Sequence, residues 1–320
     1  RHLSRQGHEI TVFARAVAPE MLAWPGLRFR RVPSLSRPLL FRCLTFWLTA
    51  SLMLWRLRRQ GGMDVIHTNG AVAWPYDLTT CQFCHSAWNR WEPGLASGSR
   101  LRHLYHRLYT RLNAWLERRY YASGGMPGEQ KTAVPAAGIS PTGRPASWRR
   151  RPVVVLSPRE KTELEGLGLP PDKIVVIPHG LGPEPWEMAS CAGECRRELE
   201  QEFPASRGKF VFLTAGDLGT NRKGVGTLLE AWARGDRRNR LLLVAGRREG
   251  SPFPALAARL GLASSVLFLG LRRDLFSLMA ASQAFVLASC YEPFGLVAGE
   301  ALACGVPVIM PATVGIAGWL

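Results

Sequence analysis

The sequence predicts an α/β fold in two domains, each a parallel sheet with helices on both faces. Short β-prone apolar runs alternate with helix-like segments, most regularly after residue 210. The 320 residues exceed what one hydrophobic core usually serves. A composition of 47% apolar and 20% charged residues is that of a globular protein.

The opening RHLSRQGHEITVFAR reads as a helix end, a stop at Gly7 and a strand over 9–13. An α/β domain normally has a strand before that helix, and the chain ends at Leu320 before any closing helices, so a fragment is expected. A second strand is placed at 28–32. The apolar stretch 43–55, thirteen residues between Arg42 and Arg56, is by itself too short to span a bilayer. It reads as a core helix or as one lying in a membrane interface.

A strand at 63–67 enters the polar loop HTNGAVAWPYD. Loops that follow strand ends bind ligands in α/β folds, which makes His67, Asn69 and Gly70 candidates. A short strand at 79–83 leads to His85, a further candidate. Residues 100–121 form a basic amphipathic helix with Leu101, Leu104, Leu108, Leu112 and Trp115 on one face. This is either a domain helix with a solvated face or an element that meets anionic lipid headgroups.

Residues 122–151, rich in Gly, Pro, Ala and Ser and without periodicity, read as a disordered insert. A strand at 153–156 precedes Ser157, Pro158 and Glu160, a capping box with proline at the first helical position. After a strand at 173–177, GLGPEPW reads as a linker, which divides the chain into domains 1–183 and 184–320. In the second domain, strands at Phe210–Ala215, 241–245, 266–269 and 284–288 are separated by helices near 225–233, 254–260 and 273–281.

The net charge of +17 is uneven. Residues 1–183 hold 26 basic and 11 acidic side chains, a net of +15, whereas 184–320 hold 15 and 13, a net of +2. A polyanionic partner for the first half is implied, an anionic membrane face or nucleic acid. Seven cysteines without a signal peptide favour reduced thiols and a cytoplasmic setting. Cys81-x-x-Cys84 beside His85, and Cys191-x-x-x-Cys195, read as small buried thiols before they read as zinc ligands.

Two stretches carry chemistry. In SCYEPFGLVAGEALACGVPVI, residues 289–309, Glu292 sits in a loop and Glu300 inside the following helix. Phe294, Gly295 and Leu296 lie at the helix start, whose free amides favour an anionic or polyhydroxylated ligand. A carboxylate accepts two hydrogen bonds from a vicinal diol, so the pair suits a sugar nucleotide. A solvated loop glutamate and a helix-surface glutamate are the competing reading. In AGDLGTNRKGVGTLLEAW, glycines including Gly216 surround Arg222 and Lys223 just before a helix, an arrangement that neutralises a diphosphate without metal. No Asp-x-Asp occurs in the chain, which argues against a metal-held diphosphate.

RKGVGTLLEAW and YEPFGLVAGEALACGVPVI resemble the donor-binding half of the retaining glycosyltransferases of family four. The spacing of Glu292 and Glu300 matches that family's E-x7-E motif. The resemblance implies a GT-B fold, two Rossmann-like doubly wound parallel-sheet domains facing across a cleft. It implies transfer of a hexose from a nucleotide diphosphate sugar to an acceptor hydroxyl with retention, and no separate cofactor. Lys223 holds the place of the lysine that binds the donor diphosphate, and Glu292 that of the residue holding the donor sugar. Phe294 to Leu296 would offer amides to that sugar, and Glu300 would bind the ribose hydroxyls.

The family usually has an arginine six residues before the lysine. This chain has Asp217 there, with Arg222 as its substitute. The histidine that commonly contacts the donor sugar corresponds to His67 or Asn69, and the glycine-rich loop after the family's first strand is absent, so the fragment alone is expected to be impaired. Implied partners are a nucleotide sugar, a lipid-linked or polysaccharide acceptor and an anionic membrane surface, with no nucleic acid. A cytoplasmic protein, peripheral on the inner face of the membrane, fits them. A sugar-nucleotide epimerase of the same architecture and a basic lipid- or nucleic-acid-binding protein are the alternatives.

Overall fold

A computed structural model describes residues 2–90, 100–122 and 151–320. The insert expected over 122–151 lies outside them but for its ends, as does the side chain of Leu101. The chain forms two compact units: Arg1–Gln82 with Leu116–Val154 and Asp172–Val175, and Phe83–Trp115 with Val155–Pro171 and Val176–Leu320. The chain thus passes repeatedly between the units and does not divide at one boundary near 183.

In the first unit, α1 (His2–Arg5) ends at Gly7, whose φ of +85° supplies the left-handed stop. Strands β1 (Ile10–Ala14) and β2 (Leu27–Arg31) pair in parallel, with Ile10 opposite Leu27. Helix α2 (Leu39–Arg59) runs for 21 residues, well past the apolar stretch 43–55. Its last turn carries Arg56, Arg58 and Arg59, cations that suit the carbonyl end of a helix. By length and composition it is long enough to cross a membrane, which the stretch 43–55 alone did not suggest. Nor is it a core helix: only 11% of its most apolar window is buried.

A four-stranded sheet in the order β3-β4-β5-β6 follows, from β3 (His67–Asn69), β4 (Leu78–Thr80), β5 (Val153–Val155) and β6 (Ile174–Val176). Strand β3 starts where the expected strand 63–67 ends, so His67 and Asn69 are strand residues and not loop residues. The shift has a visible cause: Asp77 accepts from the Ile66 amide (2.8 Å) and from Arg58 (2.9 Å), holding the preceding residues outside the ladder. Tyr76 stacks on Tyr120 at 4.5 Å, and the Tyr120 hydroxyl donates to the Ala73 carbonyl (2.7 Å).

The second unit contains α3 (His85–Trp88) and the part of α4 (Arg100–Ala122) that ends at Trp115. Leu104, Leu108 and Trp115 of α4 are exposed, whereas Thr110 and Ala114 are buried: the small residues allow close approach, and the apolar face stays outside. Helix α5 (Pro158–Glu165) is capped by Ser157, which accepts from the Glu160 amide (3.2 Å). The Glu160 carboxylate takes the Leu156 amide (2.8 Å), one residue beyond the usual capping-box partner. Helix α6 (Glu184–Ser190) begins inside the expected linker. Its Pro185 lies in the first turn, where a missing N–H costs nothing. Helix α7 (Ala192–Glu202) follows.

The main sheet is built from β7 (Phe210–Ala215), β8 (Arg240–Ala245), β9 (Val266–Gly270), β10 (Ala284–Val286) and β11 (Val308–Ile309). All neighbouring pairs are parallel, in the order β11-β10-β7-β8-β9. Helices α8 (Val225–Arg234), α9 (Phe253–Arg259), α10 (Leu275–Ala280) and α11 (Leu296–Ala303) make the crossovers. Strand β8 shows why the sequence reads as a buried run: Leu241 to Ala245 are all buried, because helices cover both faces. Each fully buried leucine there stabilises the unit by about 1.5–3 kcal/mol.

Candidate active site

The strand order places a switch point between β7 and β10. From β7 the chain winds outward through β8 and β9, then returns to the other side of β7 for β10 and β11. Loops leaving two adjacent strands that wind in opposite directions open a crevice beyond their carboxyl ends. These are the loops that carry Lys223 and Glu292.

The structure brings the two together. Lys223 Nζ donates to Glu292 Oε2, and Arg222 Nη1 lies 3.6 Å from the same oxygen. Lys223 and Glu292 are largely buried and Arg222 is about a third exposed, so the group is only partly screened by water. One carboxylate thus serves two cations, leaving a net positive charge at the mouth of the crevice.

Glycines make this approach feasible. A Cβ on Gly216 would stand 3.1 Å from Lys223 Cγ, so the bare backbone leaves room for the lysine stem. Gly224 is more constrained: its φ is +68°, and a Cβ would fall 1.8 Å from the Ala288 carbonyl oxygen. The Cys290 amide donates to the Arg222 carbonyl (3.3 Å), which ties the two loops directly. Asp217 does not replace a cation. Its Oδ1 accepts from the Gly219 amide (3.0 Å) and closes the glycine loop as an Asx turn.

Phe294, Gly295 and Leu296 stand where α11 begins. Gly295 is the N-cap in the left-handed region, φ +90°, and no side chain caps the first amides of α11. Glu300 is half-buried one turn further along. Burial raises its pKa.

His85 is the first residue of α3, edge-on to Phe83 with centroids 5.0 Å apart. Phe83 meets Tyr291, the residue before Glu292, at 5.3 Å. The cluster is built wholly from the second unit. His67 and Asn69 belong to the first, where His67 Nε2 pairs with Thr80 Oγ1 (2.8 Å) and burial lowers its pKa.

Sequence reasoning missed the part that four residues play around the site. Asn221 Oδ1 accepts from the Gly226 amide (2.8 Å) and fixes the start of α8. The Ser157 hydroxyl, besides capping α5, donates to the Pro293 carbonyl (2.8 Å) next to Glu292. Tyr291 OH donates to Glu163 Oε2 (2.9 Å). The His179 ring stands edge-on to Phe294 at 5.3 Å. Only His179 carried a signal, since it follows a strand end at Pro178. Among the described residues no three His, Cys, Asp or Glu side chains stand together as a metal-ligand set, and Cys81, Cys84, Cys191 and Cys195 form no disulfide.

The family description Glycosyltransferase Family 4 matches residues 1–125, and Glycosyl transferases group 1 matches 209–319. The chain is 32% identical over 154 residues to the lipopolysaccharide glucosyltransferase WaaG of Escherichia coli K12, covering 47% of this chain and 40% of that protein. The chain spans between 36% and 43% of the length of the first three curated relatives it matches. The crystal structure of WaaG superposes with a TM-score of 0.72 at 21% identity, covering 99% of this chain and 76% of that one. Anabaena HepE in complex with UDP-glucose superposes with a TM-score of 0.60 at 17% identity, covering 97% and 74%. With both ends of the chain matched in order and this architecture shared, the chain is similar to the glycosyltransferases of family 4 in its first part and of group 1 in its second, and it has the GT-B fold.

Proposed function

We propose that the protein is a retaining, metal-independent hexosyltransferase that moves a hexose from a nucleotide diphosphate sugar to an acceptor hydroxyl. The observation that carries this reading is the meeting of Lys223, Arg222 and Glu292 at the switch point of the main sheet. A diphosphate entering there finds two cations and an uncapped helix start, which are the groups that stabilise charge on a leaving phosphate. The names of the relatives support it: one is a lipopolysaccharide glucosyltransferase, and HepE is described with UDP-glucose bound.

In the reaction the acceptor oxygen bonds to the anomeric carbon on the face from which the phosphate leaves. The anomeric C–O bond breaks, and the acceptor's proton passes to the departing phosphate oxygen. Lys223 and Arg222 hold the diphosphate, and Glu292, released from them, accepts from the donor sugar's hydroxyls. The amides at Phe294 to Leu296 add to that contact. Glu300 accepts from the ribose diol, while Gly216 keeps the lysine path open. His85, which belongs to the same unit as Glu292, is assigned to the sugar. The strong positive charge of residues 1–183 favours a lipid-linked or polysaccharide acceptor at the cytoplasmic face of an envelope membrane.

The test is turnover by the full-length protein on a panel of nucleotide sugars, with the product's anomeric configuration read by NMR and chelator present in one arm. Retained configuration and unchanged turnover in chelator are expected. Glu292→Ala and Lys223→Ala should each lower transfer at least 100-fold while the melting temperature moves by only about 5 °C. Full turnover in either variant overturns the assignment, and conversion of the donor with no acceptor present would instead reveal an epimerase.

A further inference from the structure

Helix α2 leaves one side uncovered. Phe41, Leu48, Leu52 and Trp55 are exposed, with Leu48 at 59%, and their spacing of seven, four and three residues puts them on one stripe. The stripe ends in exposed Arg56 and Arg59, and the Arg59 guanidinium lies over the Trp55 ring at 3.8 Å. No acidic residue occurs anywhere in α2.

The rest of the helix is fastened to the protein, along the flanks of the stripe and opposite it. Thr49 Oγ1 donates to the Pro33 carbonyl (2.7 Å), Ser51 Oγ accepts from the Trp74 amide (2.9 Å), and Ala50 and Leu54 are buried. A helix bound in this way cannot cross a bilayer without leaving its own unit. It can lie in the plane of the interface, where an apolar stripe enters the headgroup boundary and a Trp-Arg end meets the phosphates.

We propose that α2 docks the protein on an anionic lipid bilayer through this stripe. Charge selects the occupant. A second copy of the helix, which holds no acidic residue, would leave the arginines without a counter-charge, whereas anionic headgroups neutralise them. The inference deepens the membrane-side acceptor proposed above and relies on that reading only for the acceptor's location.

The test is co-sedimentation of the full-length protein with vesicles of phosphatidylglycerol and phosphatidylethanolamine, against pure phosphatidylcholine, over a salt series and with no donor or acceptor present. Binding to the anionic vesicles that weakens with salt is expected. Arg56→Glu with Arg59→Glu should weaken it at least about 30-fold. Leu48→Glu with Leu52→Glu should abolish it, with turnover on a water-soluble acceptor unchanged in both variants. These side chains are exposed, so a preserved melting temperature certifies the fold. Failure of the unaltered protein to bind, or equal binding by the variants, overturns the proposal. Self-association that the same variants abolish, without vesicle binding, would give the face to a second copy. Because no sugar chemistry enters the binding assay, its failure leaves the transferase reading standing, and failure of transfer leaves the docking standing.

Discussion

Glu300 shows how one residue's surroundings set a measurable property. In the role proposed for it the carboxyl must be ionised to accept both hydroxyls of a ribose, yet burial raises its pKa and so favours the protonated form. Donor affinity is therefore expected to fall as pH is lowered, starting from a higher pH than for an ordinary carboxylate. Titration of nucleotide-sugar binding against pH checks this, and a Glu300→Gln variant that keeps the same slope would remove Glu300 as its source. At this scale the sequence was informative about residue types and poor about pairings. The two glutamates and the Arg-Lys pair stand out from spacing and loop chemistry. That Lys223 takes Glu292 as its partner depends on which strands lie side by side, and no local signal holds that information. Asp217 illustrates the same limit, because only the Gly219 amide beside it shows that it closes a turn.

At the scale of elements, α5 reaches across the chain to the loop that carries Glu292. Ser157 caps α5 and also donates to Pro293, 136 residues away in sequence, while Gly315 has no room for a side chain because a Cβ would fall 1.8 Å from that same carbonyl oxygen. Ser157 is thus a positioning residue for Glu292. Ser157→Ala should lose about 1 kcal/mol of stability as a lost cap. It should also lower kcat by roughly an order of magnitude with donor KM little changed, if a small displacement of Glu292 is felt mainly in the transition state. Steady-state kinetics beside a thermal melt separate the two, and a stability loss with unaltered kcat would leave Ser157 a cap only. Most elements were legible from period and punctuation. Those that moved did so for local reasons: β3 because Asp77 occupies the amide of Ile66, α6 because prolines in a first turn permit a helix as readily as they mark a linker. Helix α2 outran its apolar stretch because arginines extend a helix as well as leucines do.

The whole molecule combines a nearly neutral half that carries the loop of Arg222 and Lys223 with a strongly basic half that carries α2. In the first unit Lys173 is buried and donates to the Tyr121 carbonyl, and burial together with nearby Arg151 lowers its pKa to about 8 from 10.5. Between those two values the unfolded chain holds a proton that the folded chain has released, so this group makes stability rise with pH from about 8 to 10.5 and contributes no slope below. Denaturant unfolding across that window checks the sign, and Lys173→Met should flatten the rise. The parallel alternation and the two-domain class were readable from the sequence because both faces of the main sheet are covered, which forces continuous apolar runs. The interleaving of the units was not, because residues 83–115 and 116–154 differ in which unit they join without any break in composition to mark it.

The switch point has a consequence in time as well as in space. Lys223 and Glu292 are 69 residues apart, and three strands, β8, β9 and β10, and three helices are threaded between them. Closing so long a loop costs entropy before any contact repays it, and β10 can join the sheet only beside a formed β7. An incompletely folded chain therefore displays two separate charged loops and no crevice. Recovery of nucleotide-sugar binding during refolding will consequently lag the recovery of helical signal, and it marks the moment at which the sheet acquires its second direction.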